Sequence, residues 1–403
     1  MVKLAWSALG VFLLIAACDR IDENVPPLPT SGPEVAALQN FDRVMWSIMH
    51  KWEIPGAALA VAKDGHILFA RGYGYEDRPG EKLVRPDSVF RIASLSKPIT
   101  AVTVLRLVDE GKLSLDNPVL EVLPDLGLPA DPRFADVTVQ HLLIHAGGWD
   151  EEVSGDPMIK RVAVFHESNL PRCANVIRFQ IDQPLDFAPG SRHAYSNFGY
   201  CLLGRVIERA SGTDYEEAVQ TFVLGPAGTT SMQLGKTPFD QRMNGEVVYH
   251  GTGGENPYGS YGKVTFAMEA LDSVGGWVGS AIDLVRFASA VDGRSNSANI
   301  LQDETIELMV SYPGFTKREG EPDYYAMGWH IHPMESGDIW YHPGSWPGSV
   351  ALLVRYDQGP IFAAFFNARP PDYGKMMEET GKRMFDAVNR VRSWPDHDLY
   401  AVN

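Results

Sequence analysis

The segment Ser94-Leu95-Ser96-Lys97 carries side chains suited to covalent chemistry. A spacing of three puts the Ser94 hydroxyl and the Lys97 amine on one helical face, within reach of each other. At a helix start, free backbone N–H groups and the positive end of the helix dipole both favour a developing oxyanion. A desolvated Lys holds its proton less tightly and can accept the proton of the hydroxyl. Pro98 fits only if this is about the first helical turn. Alone the spacing is a weak signal, since roughly one or two such pairs arise by chance in a chain this long. Ser260-Tyr261-Gly262-Lys263 is a second one, with glycines that favour a loop. The strand-like VFRIA before Ser94 and the apolar helix after it supply the strand-turn-helix setting of a serine nucleophile.

Other hydrolytic machineries are missing. The sequence contains no Gly-x-Ser-x-Gly elbow, and His141 and His145 enclose Leu142 where a zinc protease carries Glu. His330 and His332 alternate along a strand with no third ligand near. Both His pairs read as structural, and neither a metal nor a cofactor is expected.

The elements that must position Ser94 follow from periodicity. Val35, Leu38, Phe41, Val44, Met45 and Ile48 give residues 34–52 a helical period. AALAVAK and HILFARGYG flank Asp64-Gly65, a two-residue hairpin turn. Residues 99–110 and 198–210 read as helices ended by Gly111 and Gly212. Strands return late as YYAMGWHIH, DIWYH, SVALLVRY and IFAAFFN, and residues 375–393 form a last helix. Strand-rich ends around a helical centre predict an α+β fold, an α/β sandwich whose antiparallel sheet is flanked by N- and C-terminal helices. The expected sheet domain comprises residues 34–92 plus 272–397, with 93–271 as an inserted, mostly helical domain and the active site between them. Of 403 residues, 45% are hydrophobic and 21% charged, which suits a globular chain and excludes disorder. A formal charge of −16 without a basic run excludes a nucleic-acid partner.

Several segments, in order, resemble the class C β-lactamase-like serine hydrolases, a group that includes DD-peptidases, D-aminopeptidases and esterases. SVFRIASLSKPITAVTVLRLVDEGKLSLDNPV resembles the first motif region, and HLLIHAGGW the next landmark, with Gly147-Gly148 where Ser-Gly is usual. Tyr195-Ser196-Asn197 supplies the second motif, and Tyr341-His342-Pro343-Gly344-Ser345 lies where β-lactamases carry Lys-Thr-Gly. The resemblance implies that Ser94 is the acylated nucleophile and that Lys97 and Tyr195 share the proton work. A preorganised site beside cations can lower the pKa of a phenol enough for it to relay protons. It further implies that Asn197 binds the substrate amide and orients Lys97, and that the backbone N–H groups of Ser94 and Ser345 form the oxyanion hole. Gly344 would let the strand approach the substrate, and His342 would bind a substrate carboxylate or fill the space of a lost Lys. His145-Ala146-Gly147 also reads His-x-Gly, but precedes the Tyr motif and is taken as a structural decoy. A neutral imidazole anchors a carboxylate less firmly than an ammonium, so hydrolysis of an amide or ester, such as a D-amino-acid peptide or small ester, ranks above β-lactam hydrolysis. A non-catalytic penicillin-binding or regulatory protein of the same fold is the third reading.

Residues 1–17 read as a secretory signal peptide: a Lys near the start, an apolar run, then small residues. Ile15-Ala16-Ala17-Cys18 resembles a bacterial lipobox, which implies acylation of Cys18. Asp19 resembles an inner-membrane retention signal. The expectation is a periplasmic protein, lipid-anchored to the inner membrane, with residues 18–33 as lipidated Cys and Pro-rich tether and substrates that include peptidoglycan-derived peptides. Cys173 and Cys201 remain, either as a disulfide in an oxidising compartment or as two buried thiols.

Overall fold

The computed structural model describes residues 24–77, 82–158, 173–252, 256–258, 267–294, 299–315, 322–357 and 359–400. Cys18 and the spacing Ser260 to Lys263 lie outside these residues. The described chain begins with β1 (Thr30–Ser31), α1 (Gln39–Trp52), β2 (Gly56–Lys63), β3 (His66–Gly74) and β4 (Phe90–Arg91). The centre holds α2 (Ser96–Asp109), α3 (Cys173–Gln180), α4 (Asn197–Ser211) and β5 (Gln233–Leu234). After β6 (Trp277–Gly279) come α5 (Ala281–Ser289) and α6 (Asp303–Val310). The last part runs β7 (Tyr324–Tyr325), β8 (His330–His332), β9 (Ile339–Trp346), β10 (Ser349–Arg355), β11 (Ile361–Phe366) and α7 (Tyr373–Asn389).

Eight strands form one sheet in the order β1-β3-β2-β11-β10-β9-β8-β7, with every neighbouring pair antiparallel. Both chain ends supply its strands, as the α+β reading expects. Asp64 and Gly65 close the β2–β3 hairpin with φ of 53° and 81°, the left-handed pair that a two-residue turn needs. Both faces of the sheet are covered. Ala57, Leu59 and Val61 of β2 join the core under α1 and α7, with Phe41, Val44, Met45, Met376 and Met384. Ala58, Ala60 and Ala62 face the other core, where α5 packs on β2, β3 and β11. A doubly buried strand shows no polar alternation, which explains why β2 reads as a continuous apolar run.

Three details differ from the sequence reading. Thr30–Ser31 pairs with Tyr73 and Gly72 as the sheet's edge strand, so the fold starts inside the stretch assigned to the tether. An extended, Pro-rich backbone has free N–H and C=O groups to offer an exposed strand edge. YYAMGWHIH is a hairpin of two short strands, turned at Gly328, where φ is 85° and an added Cβ would lie 2.6 Å from the Ala101 methyl. Residues 34–52 split into a short 3-10 turn at Ala36–Leu38 and α1.

A second, three-stranded sheet, β4-β6-β5, ties the strand before Ser94 to the end of the helical segment. Helix α2 is buried on nearly all sides, in keeping with its apolar sequence all round, and packs on α4. Cys173 and Cys201 are joined, linking α3 to α4 with their Cα atoms 5.8 Å apart, which decides between bridge and thiols. Closing a loop over their sequence separation of 28 residues contributes about 3.5 kcal/mol by the chain-entropy relation.

Candidate active site

The turn Ala93–Leu95 leads directly into α2. Ala93 has φ of 50°, a left-handed backbone that non-Gly residues seldom adopt, so the residue before the nucleophile is conformationally costly. Lys97, in the first turn of α2, is wholly buried, with Nζ 3.2 Å from Ser94 Oγ and donating to the Val274 carbonyl at 3.0 Å. The Tyr195 hydroxyl donates to Ser94 Oγ at 3.1 Å, and Lys97 Nζ lies 4.9 Å from the Tyr195 ring centroid. The three residues that the first two motifs supply thus converge on one oxygen.

Burial lowers the Lys97 pKa to about 7, against the pull of the Glu151 and Asp156 carboxyls. For Tyr195 the structure reverses the expectation. Burial is the largest cause and pushes the phenol well above its ordinary value; the hydrogen bond with Ser94 opposes it, while Glu151, Tyr200 and Asp156 add to it. The phenol therefore stays protonated, and the amine is the group poised to take a proton near neutral pH.

Ser196 caps α4, its side chain accepting from the Gly199 N–H, and so fixes Tyr195 just before the helix. Asn197 opens α4 and donates from Nδ2 to Asp156 at 2.8 Å and to Glu151 at 3.2 Å, while its backbone N–H also reaches Glu151. Among the described residues no hydrogen bond joins Asn197 to Lys97, so the expected direct orientation of the amine is corrected. Asn197 instead holds the carboxyls of half-buried Glu151 and buried Asp156 beside it. Burial first, then the neighbouring Asp156, push the Glu151 carboxyl well up. The sequence reading missed this pair, although Asp150-Glu151-Glu152 directly follows the HLLIHAGGW landmark.

The third motif lies on β9. The His342 side chain is 1% exposed; Nδ1 donates to the Pro343 carbonyl at 2.7 Å, which leaves Nε2 to accept from the Tyr325 hydroxyl at 3.2 Å. Burial, with His330 and Lys97 nearby, drives its pKa well below the usual imidazole value. Direct carboxylate binding by His342 is thereby corrected, because a buried, neutral ring with both nitrogens engaged offers nothing to an anion. Gly344 is needed for a different contact from the one expected. A Cβ there would lie 2.3 Å from the Ile92 carbonyl oxygen and 2.8 Å from Leu95, so the glycine brings β9 against the turn that carries Ser94. The Ser94 and Ser345 backbones are thus on adjoining segments. Ser345 Oγ accepts from Arg369 at 3.3 Å, and the guanidinium lies 5.4 Å from the Tyr373 ring centroid. Arg369 was not foreseen, having no motif and lying far from the others in sequence. His145, read from the sequence as a structural decoy, packs on Tyr195, their ring centroids 4.3 Å apart.

A family model described as Beta-lactamase matches residues 41–381. The probable fimbrial assembly protein FimD, serogroup H1, of Dichelobacter nodosus is 31% identical over 307 residues, which cover 74% of this chain and 71% of that protein. Esterase EstB of Burkholderia gladioli is 36% identical over 221 residues, covering 51% of this chain and 53% of its own length. The octameric penicillin-binding protein homologue from Pyrococcus abyssi has a TM-score of 0.68 at 27% identity, over 83% of this chain and 75% of that one. With a family match over most of its length, and with the fold of penicillin-binding proteins and related serine hydrolases, the chain belongs to the beta-lactamase family.

Proposed function

We propose that this protein is a serine hydrolase that passes through an acyl-Ser94 intermediate on an amide or ester, its substrates being D-amino-acid peptides or small esters. The observation that carries the reading is the placement of Ser94 Oγ within 3.2 Å of Lys97 Nζ and 3.1 Å of the Tyr195 hydroxyl. Lys97, as free amine, takes the Ser94 proton while Oγ attacks the substrate carbonyl carbon. The protonated Tyr195 gives its proton to the departing nitrogen or oxygen and is recharged from the Lys97 ammonium. Water then attacks the acyl carbon and releases the acid, with Ser94 regaining a proton. Backbone N–H groups of Ser94 and Ser345 are the proposed oxyanion donors.

Arg369 takes over the role first given to His342: it is the cation beside Ser345, and it favours substrates with a carboxylate near the scissile bond. The same guanidinium favours a second reading, β-lactam hydrolysis, because β-lactams carry such a carboxylate. The experiment is intact-mass trapping on Ser94 during a screen of p-nitrophenyl esters, D-Ala-D-Ala peptides and nitrocefin. The primary reading expects a mass adduct lost in Ser94→Ala and turnover of ester or peptide. Rapid release of a fluorescent penicillin would move the assignment to the second reading. The leader and Cys18 support placement of this activity in the periplasm, on the outer face of the inner membrane.

A further inference from the structure

We infer that His145 is a positioning residue for Tyr195, a role that rests on the proposed use of the Tyr195 phenol as proton donor. His145 follows the short helix Val139–Leu143, near the start of the loop that runs on to Glu151, and holds φ of 57°. Three of its groups grip the segment around Tyr195. Its carbonyl accepts from the Ala194 N–H at 2.9 Å, on one side of Tyr195. Its Nδ1 accepts from the Ser196 N–H at 3.1 Å, on the other side. Its ring packs on the Tyr195 ring between them, with centroids 4.3 Å apart, and is backed by Tyr325 at 4.5 Å and Tyr200 at 5.0 Å.

Nδ1 can accept only if the ring hydrogen is on Nε2. That Nε2 is buried and has no hydrogen-bond partner among the described residues, and the whole residue is 1% exposed. A buried polar group left unsatisfied destabilises a fold, as does a left-handed backbone at a non-Gly residue. A phenyl or aliphatic side chain would pack here without the orphan donor, so packing alone does not account for an imidazole. What the imidazole adds is an acceptor at Nδ1, directed at the backbone N–H that follows Tyr195. The clamp holds the backbone on both sides of Tyr195, at the Ala194 and Ser196 N–H groups, so that its hydroxyl meets Ser94 Oγ at 3.1 Å. A displacement of about 1 Å at such a group can cost on the order of 100-fold in rate.

The test is a double-mutant cycle on the full-length protein, with an ester substrate, kcat and KM measured separately, and the thermal transition recorded for each variant. His145→Gly keeps the left-handed backbone and removes ring and acceptor; it should lower kcat roughly 10- to 100-fold and change KM less than about threefold, a part of what a positioned acid contributes. His145→Asn tolerates the same backbone and offers a carboxamide oxygen to the Ser196 N–H, so it should recover part of that loss. In the Tyr195→Phe background, where no hydroxyl remains to be placed, His145→Gly should cost less than about threefold further. Equal losses in the two backgrounds, or no recovery with His145→Asn, would overturn the inference and leave the proton role of Tyr195 standing. Full activity in Tyr195→Phe alone would overturn that role and this inference with it. If His145→Gly does not fold, the cycle runs with His145→Asn, and additivity there counts against the clamp.

Discussion

Lys97 is wholly buried, and that burial sets the pH range in which the site can work. Its pKa is depressed to about 7, so below that value the amine is protonated and cannot accept the Ser94 proton; above it the free base predominates. For a neutral ester, kcat/KM should rise with pH and level off above about 7. Asp156 favours the ammonium, so Asp156→Asn should lower the Lys97 pKa and move this limb toward acid pH. A limb that stays in place or moves toward alkaline pH would remove Lys97 as its source. Arg369 yields a prediction of another kind: Arg369→Gln should raise KM for a carboxylate-bearing peptide about tenfold or more, the scale of a lost charged hydrogen bond, and leave a neutral ester within about twofold. Equal effects on both substrates would mean that the guanidinium only supports Ser345. Ser94, Lys97 and Tyr195 were legible in the sequence because each belongs to a short pattern and the patterns recur in a fixed order. Glu151, Asp156 and Arg369 were not, because an acid or Arg outside any motif reads as solvated surface until the fold sets it beside a partner.

At the level of elements, the strand β9 and the turn before α2 must touch for the two proposed oxyanion donors to face one carbonyl. The contact is specified by a missing side chain at Gly344. Because an added methyl would meet the Ile92 carbonyl at 2.3 Å, and a backbone atom cannot rotate away, Gly344→Ala should push β9 off the turn. The expected cost is about 1–3 kcal/mol of stability, the range for overpacking, together with a loss of kcat beyond tenfold. Denaturant titration and ester kinetics on one preparation check both; a variant with ordinary kinetics would mean that the oxyanion is held elsewhere. The long elements were legible because an amphipathic helix such as α1 and a hairpin turned at Asp64-Gly65 announce themselves locally. The short ones were not. Gly328 divides YYAMGWHIH in response to the close approach of Ala101, a long-range contact with no local trace, and β1 takes its structure from the edge of β3 rather than from its own composition.

For the whole molecule, the site draws on the turn and α2, on the start of α4 and on β9, and both chain ends complete the sheet that carries the last of these. Order of the centre is tied to α3 and α4 by the Cys173–Cys201 bridge, so its reduction should lower Tm while ester turnover by the folded protein at room temperature changes little. A bridge of this kind persists in an oxidising compartment, in keeping with the proposed periplasmic placement. Contacts that begin ahead of the edge strand at Thr30–Ser31 would limit the reach of the protein on the proposed Cys18 anchor. Leu28 already packs on the core, and the Pro26 and Pro29 carbonyls accept from His50 and from the Gly74 N–H, so a chain running from Cys18 to Pro26 would span about 28 Å at most if fully extended. A lipid on Cys18, as proposed, would hold the fold near the bilayer while staying separate from it, which predicts that Cys18→Ser releases the protein from membranes without altering its ester turnover once solubilised. Fractionation and metabolic palmitate labelling measure the two halves of that statement. Equal palmitate incorporation into wild type and Cys18→Ser would reject the anchor, and a change in turnover with release would mean that the tether acts on the fold.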